Sequence, residues 1–456
     1  MVGPNYSTPE IPTPDTGNQA IRGDVNSSRS DISGWWRRFH DPTLNKLISM
    51  ASASNRDLII AAERINEARA FEGVARGGLF PDASGSGSIT RNRSSGNPSA
   101  LPSSTTTFYD AGIGAGWEMD FVGGLRRSVE AAQANTSASE EFYRDAMVII
   151  YASVAEAYID YRTLQERIDV VGDNIELQTE SVGLTEGRFD AGLAPEIDVT
   201  QAKTNLADSK AQVPSLKAQL AQTLNRIAVL VGRYPGQVQP ILGKGGIPAI
   251  GHSASVGIPA DLLRSRPDVR AAERQLAART ADVGVAEAEL YPKFDLLGSF
   301  ALQSTDSGNF FDSDSGVYSF GPGFRWRIFE GGRIREQIKA SQSRVKQAHA
   351  NYEQTVLEAV SEVETALASI AYEGERLGHL TDSRKAARET SKLITANYTN
   401  DLVDFQNVVD AQRTVLFAEE GVVISEGQIA RNHVALYRAL GGGTDMGAAK
   451  GGTGKP

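Results

Sequence analysis

Leu79-Phe80-Pro81 recurs as Leu290-Tyr291-Pro292, and Phe121 with Gly123-Gly124 and Arg126-Arg127 recurs as Phe329 with Gly331-Gly332 and Arg333. Leu193 and Ala202 recur as Leu402 and Ala411, and the Leu-Val-Gly ending at Gly232 recurs as the Ala-Leu-Gly ending at Gly441. These pairs lie about 210 residues apart in one order, which marks an internal duplication. A unit that long exceeds any solenoid repeat, so each copy is expected to form half of one pseudo-symmetric body.

Each copy holds two alternating runs and then two long heptad helices. Tyr109, Ala111, Ile113, Ala115, Trp117, Met119 and Phe121 alternate with Asp110, Gly112, Gly114, Gly116, Glu118 and Asp120. In the second copy Tyr318, Phe320, Pro322, Phe324, Trp326 and Ile328 alternate with Ser319, Gly321, Gly323, Arg325 and Arg327. Partner runs precede them at 83–90 and 294–302, the latter with Leu296 and Phe300 opposite Lys293, Asp295 and Ser299. Period two over that length predicts strands. From Val154 to Phe189, apolar and small residues recur three and four apart, and a helix from Leu125 to Phe189 would be about 98 Å long. A return helix continues to Leu230, with Pro214 expected to kink it or loosen one turn. The second copy repeats the pattern from Val356 to Ile370 and from Val408 to Ala439. The expected organisation is an extended arm at 1–40, a first repeat at 41–232 and a Pro/Gly-rich linker at 233–259. A second repeat follows at 260–441 and a flexible tail at 442–456.

Composition narrows the function. A net charge of -10 without a Lys/Arg run argues against nucleic acid. The absence of cysteine excludes disulfides, thiolate metal sites and cysteine nucleophiles, and the five histidines lack ligand spacing. No catalytic constellation of Ser/His/Asp or paired carboxylates is present, so the expectation is a chain that is not an enzyme and holds no metal. No apolar stretch reaches the roughly 18 residues of a membrane-spanning helix, so contact with a bilayer core must use strands.

Thirteen residues of strand rise about 43 Å, enough to cross a hydrocarbon core of about 30 Å when tilted. The alternation alone fits a half-buried soluble sheet equally well. The Gly/Ser-rich second face, the absence of an apolar layer to cover the first, and the clustering of Trp117, Phe121, Trp326 and Phe329 at the helix end favour a membrane barrel with an interfacial girdle. Four strands cannot close, and open edges are not tolerated in lipid, so several chains must share one barrel.

The residues then resemble the TolC-like outer-membrane efflux channels, in the lipoprotein branch typified by OprM. The resemblance rests on Val2-Gly3-Pro4-Asn5-Tyr6, Asn55-Arg56-Asp57-Leu58, Leu79-Phe80-Pro81, Trp117-Glu118-Met119-Asp120-Phe121 and Leu263-Arg264-Ser265-Arg266-Pro267-Asp268. Asp410-Ala411-Gln412-Arg413 and the run from Leu436 to Gly442 complete it, so that it covers nearly all of Val2 to Gly443. It implies a mixed α+β homotrimer, with a 12-stranded transmembrane β-barrel (four strands per chain) continued by a 12-helix α-barrel. It further implies outer-membrane lipid around the barrel, a periplasmic adaptor protein and an inner-membrane pump, expected to be of the RND class. The implied role is the exit duct of a tripartite efflux pump; a type I secretion channel and a soluble coiled-coil scaffold or adaptor are the alternatives. Members of this branch begin with a lipidated Cys where this chain has Met1. The expectation is therefore a native lipid anchor lost by replacement of that Cys, and no other cofactor.

In the family, carboxylates just after the second hairpin tip project into the lumen, and polar contacts nearby hold the tip closed. Matched position by position, Asp410 takes one carboxylate place, while Asn407 leaves the other neutral. The first-copy equivalents of Asn407 and Asp410 are Asp198 and Gln201, so the two copies divide the acidic character between them. Asp404 and Glu196 add to it, and Tyr398 and Arg413 are expected to lock the tip by hydrogen bonds. On this view Asp410→Ala would raise ion conductance.

Overall fold

The computed structural model describes residues 1–9, 30–95, 97, 103–249 and 265–444. Helix α1 (Pro42–Ser54) and α2 (Arg56–Gly77) lead into strands β1 (Asp82–Arg93) and β2 (Thr105–Met119), then helices α3 (Gly124–Asp190) and α4 (Glu196–Leu230). After α5 (Pro235–Leu242), the second copy runs α6 (Pro267–Ala288), β3 (Lys293–Ser304), β4 (Gly316–Arg325), α7 (Arg333–Thr399) and α8 (Phe405–Ala439). The duplication holds to the residue in the long helices: α3 and α7 are both 67 residues, α4 and α8 both 35. At 1.5 Å per residue the longer pair measure about 100 Å each. No helix among the described residues is long and apolar enough to cross a membrane. The chain divides into two compact units, one of residues 1–11, 63–140 and 270–354, the other of the remainder.

The first unit carries a four-stranded antiparallel sheet of order β1-β2-β3-β4, with β1 and β4 at the free edges. Its register places Ile113 opposite Phe300, Trp117 opposite Leu296, Phe300 opposite Tyr318 and Phe294 opposite Phe324. Directly paired residues share a face. One face is therefore apolar across all four strands, and Asp110, Glu118, Asp295, Ser299 and Arg325 stand on the other. Ile113 is 64% exposed, Phe300 56%, Phe320 76% and Phe324 71%: nothing among the described residues covers that face.

The strands end sooner than the alternation predicts, at Met119 and Arg325 rather than at Phe121 and Ile328. Both copies stop for the same reason. The Trp117 indole donates to the Leu79 carbonyl at 3.0 Å, and the Trp326 indole donates to that of Leu290 at 3.0 Å. Asp120 accepts from the backbone N–H of Leu125 and Arg126, starting α3. Gly123, Gly331 and Gly332 take positive φ, which turns the chain into each long helix. Residues 1–9 lie along this unit, pinned by the buried Arg127, which donates to the carbonyls of Val2 and Gly3 and to Asn5 Oδ1.

The second unit contains the apolar core. Trp35, Trp36 and Phe39 pack with Leu44, Leu47 and Ile48 of α1, Tyr151 and Tyr158 of α3, Ile227 of α4 and Tyr437 of α8. Trp35 stacks on Tyr437 with ring centroids 5.4 Å apart. Asp41 caps α1 by accepting from the N–H of Thr43 and Leu44, and Asn55 does the same for α2 through Asp57 and Leu58. The helical seams follow the heptads: Val154, Ala157, Val171, Gln178 and Thr185 are buried, as are Val408, Ala411, Val415, Ala418, Val422 and Ser425.

Three expectations are corrected here. Residues 35–39 of the expected arm form a 3-10 helix inside the core, because three aromatics in five residues have apolar area to bury. The expected linker contains α5, whose Val238 and Leu242 are buried and whose end is gripped by Arg162 through the carbonyls of Leu242 and Gly243. Gly442 and Gly443 of the expected tail pack against Ile32, Trp35 and Tyr151. Helix α4 runs on through Pro214 to Leu230. The arm at 10–29, the linker at 250–259, Leu263-Arg264 and the tail from 445 lie outside the described residues.

Arg266 donates to the Ala439 carbonyl at 2.6 Å, to both oxygens of Asp268 and to Glu362. Asp145 sits in the field of this cluster, and burial together with the Asp268 charge pushes its carboxyl up to about 6. A carboxyl raised above its unfolded value of 3.8 contributes stability below that pH and loses it as pH rises through about 6. Asp145→Asn should therefore stabilise the fold by about 1 kcal/mol at pH 7.5, after discounting for partial exposure, and leave it unchanged at pH 4. Thermal unfolding at the two pH values checks this; an equal shift at both would remove ionisation as the cause.

Candidate functional site at the helix tips

The α3–α4 and α7–α8 hairpins end in turns of one design. At the first, Gly192 adopts φ +70° and Leu193 N–H donates to the Arg188 carbonyl at 2.8 Å. At the second, Asp401 adopts φ +60° and Leu402 N–H donates to the Asn397 carbonyl at 2.9 Å. Both are Schellman-type ends with a leucine at the second position beyond the helix. The second copy thus places aspartate in a left-handed position that favours glycine. Arg188, reaching from the first hairpin, forms an ion pair with Asp401 and donates to the Thr399 carbonyl at 3.1 Å.

The two hairpins meet at Tyr398. Its hydroxyl donates to Asp198 Oδ2 at 2.9 Å, and both residues are buried. The Arg188 guanidinium lies 5.1 Å over the Tyr398 ring, and Phe405 packs edge-on against the same ring at 5.1 Å. Ala202, Val408 and Val409 close an apolar sleeve around the pair. Burial, and then the Asp198 carboxylate as acceptor, push the Tyr398 phenol up to about 12. A second layer lies further up the same hairpins. Asn205 donates to Gln412 at 3.2 Å, Gln412 donates to Ser181 at 2.7 Å, and Arg413 donates to Asn205 at 3.0 Å and pairs with Asp208 at 3.4 Å.

Of the expected site residues, the structure brings Asp198 and Tyr398 together and ties Arg413 into the second layer. Asp198 is therefore not a free lumenal charge: it is buried and accepts from Tyr398. Asp410, Asp404, Asn407 and Glu196 are exposed; Gln406 donates to Asp410 at 3.0 Å and Asn407 to the Asp404 carbonyl at 3.3 Å, both within the same hairpin arm. Gln201 is half-buried on α4. Sequence reasoning missed Arg188 and Asp401. The available signal was the repeat offset, which places Asp401 where the first copy has Gly192.

Comparison with known proteins places this architecture. The profile described as "Outer membrane efflux protein" matches residues 47–233 and 258–442. Nodulation protein T of Rhizobium leguminosarum bv. trifolii is 32% identical over 455 residues, covering 97% of this chain and 94% of the relative. The toluene efflux pump outer membrane protein TtgC of Pseudomonas putida is 30% identical, covering 96% and 92%. Among solved structures, the outer-membrane channel OprN superposes with a TM-score of 0.89 at 34% identity, over 97% of this chain and 99% of that one. With a largely apolar sheet face, a duplicated pair of long hairpins and matches across both copies, this chain belongs to the outer membrane efflux protein family of TolC-like channels.

Proposed function

We propose that three copies of this chain close one conduit, a 12-stranded barrel in the outer membrane continued by a 12-helix tube. It would serve as the passive exit duct for a periplasmic adaptor and an inner-membrane transporter of the RND class. The carrying observation is the apolar sheet face left bare, with β1 and β4 unpaired at its edges. Lipid is the solvent that such a face requires, and a neighbouring copy supplies what each edge lacks. Three panels of four strands give an even-numbered barrel of twelve. Phe417, Leu357 and Tyr372 are exposed on the long helices of a lone chain and would be covered by neighbouring helices in the tube. On the same reading Tyr398, Asp198 and Arg188 hold the hairpin tips together, while Asp410, Asp404 and Glu196 offer an acidic, cation-attracting approach to the opening.

The test is purification in detergent, chemical cross-linking and planar-bilayer recording. A three-chain species that needs detergent and forms low-conductance, cation-selective pores is expected, with conductance raised by Asp410→Ala. A monodisperse single chain in detergent-free buffer would end the proposal; a pore unaltered by Asp410→Ala would remove only that residue from the gate.

A further inference from the structure

At the end of the sheet away from Trp117 and Trp326, the β3–β4 loop is built rather than loose. Ser304 Oγ donates to the Asp306 carbonyl at 2.8 Å, Gly308 N–H donates to Asp306 Oδ1 at 2.8 Å, and the buried Ser315 donates to the Asn309 carbonyl at 2.7 Å. This bracing folds Phe310 back against Tyr109 of β2, ring centroids 6.4 Å apart, with Phe311 edge-on beside it at 5.1 Å. Beneath them lies an open recess of about 510 Å³ whose floor is Gly87, Ile89, Tyr109 and Ala111. The register puts those four residues on the apolar face: Gly87 pairs with Ala111 and Ile89 with Tyr109. The absence of a side chain at Gly87 is what leaves the hollow.

The same face continues upward through Arg91, opposite Thr107, and Arg93, opposite Thr105. Both arginines are exposed, and neither makes an ion pair among the described residues. Two arginines whose Cα atoms are about 7 Å apart along one strand, on the lipid side of a chain of net charge -10, are unusual solutes for a bilayer edge. From Trp117 to Tyr109 the strand rises about 27 Å, close to the apolar band of an outer-membrane barrel. Tyr109, Phe310 and Phe311 thus form the outer aromatic belt, and Arg91 and Arg93 stand at the height of the headgroups beyond it.

We propose that this recess binds a phosphorylated, acylated glycolipid of the outer leaflet. One acyl chain lies over Gly87 beneath the Tyr109–Phe310 ring pair, and the glycolipid phosphates are held by Arg91 and Arg93. Guanidinium groups match phosphate oxygens in paired hydrogen bonds, and the aromatic recess excludes water from the chain below. The inference rests on the barrel reading above, because that reading puts this end of the sheet in the outer leaflet.

Native mass spectrometry of the intact protein in detergent, with added bisphosphorylated lipid A, tests it. Retained lipid A is expected on the wild type, with a roughly thirtyfold loss of affinity in Arg91→Gln/Arg93→Gln, the equivalent of two lost headgroup charges. Phe310→Ser should also weaken retention, while dephosphorylated lipid A and phosphatidylglycerol should bind far less. Equal retention by the double variant, by dephosphorylated lipid A or by phosphatidylglycerol would overturn the proposal. Bilayer conductance of the double variant separates the two readings: wild-type pores without selective lipid retention end the lipid site alone, whereas no pores from the wild type end the barrel reading.

Discussion

Replacing Phe300 with arginine is expected to abolish assembly in the outer membrane, while replacing its sequence neighbour Ser299 with arginine is expected to leave assembly intact. Phe300 pairs with Ile113 and Tyr318 at the middle of the apolar face, four residues along β3 from both Leu296, opposite Trp117, and Ser304, opposite Tyr109. An arginine at barrel midplane costs about 2–4 kcal/mol per chain, so the three symmetry-related copies proposed above would cost roughly 6–12 kcal/mol. That is comparable with the whole stability of an ordinary fold. Ser299 stands on the face with Asp295 and Gln303, where a charge meets water. Yield of the proposed trimer in outer-membrane fractions, read on semi-native gels, measures both. Wild-type yield from Phe300→Arg, or failure of Ser299→Arg together with it, would mean that lipid does not touch the face we assign to it.

Tyr398→Phe is expected to loosen the tip, and Tyr398→Phe combined with Arg188→Ala to raise single-pore conductance further. The hydroxyl of Tyr398 is the donor that satisfies the buried Asp198 carboxylate across the two hairpins. A hydrogen bond to a charged group contributes about 1.5–3 kcal/mol, which converts to roughly a 10–150-fold shift between locked and loosened tips per chain. Removing Arg188 also deletes the pair with Asp401 and the cation above the Tyr398 ring. The pH dependence has a definite sign. A free tyrosine ionises at 10.0, and this one is held to about 12. The lock is therefore complete below about pH 10 and lost as pH climbs from 10 toward 12. Wild-type conductance should rise in that window, and Tyr398→Phe should show no such step. A Tyr398→Phe pore identical to wild type at pH 7 would show that the bond does not restrain the opening.

Much of the fold could be read directly because it is periodic. Alternation assigned Ile113 and Phe300 to one face, and three-four spacing assigned Val408 to Ala439 to the seam of α8. The 209-residue offset from Trp117 to Trp326 announced two equivalent tryptophans, and the structure gives them the same bond to Leu79 and Leu290. What escaped was aperiodic. Trp35 and Trp36 fall within the expected extended arm, yet they fill the core because the segment meets Tyr151 and Tyr437. The strand ends at Met119 and Arg325 depend on local hydrogen bonds and positive-φ glycines, which alternation does not report.

The tip shows where the division lies. Sequence alone determined that two like hairpins exist, that their turns are equivalent, and that Tyr398, Asp198 and Asp410 lie near them. Tertiary structure alone decided that Asp198 is consumed by Tyr398 while Asp410 stays in solvent, and that Arg188 bridges to Asp401. The reason is physical. A face or a seam is set by neighbours two to four residues away, whose geometry the backbone repeats, whereas the choice of partner for a carboxylate is made by a side chain 200 residues distant, and only the packing of one hairpin on the other brings it within 2.9 Å.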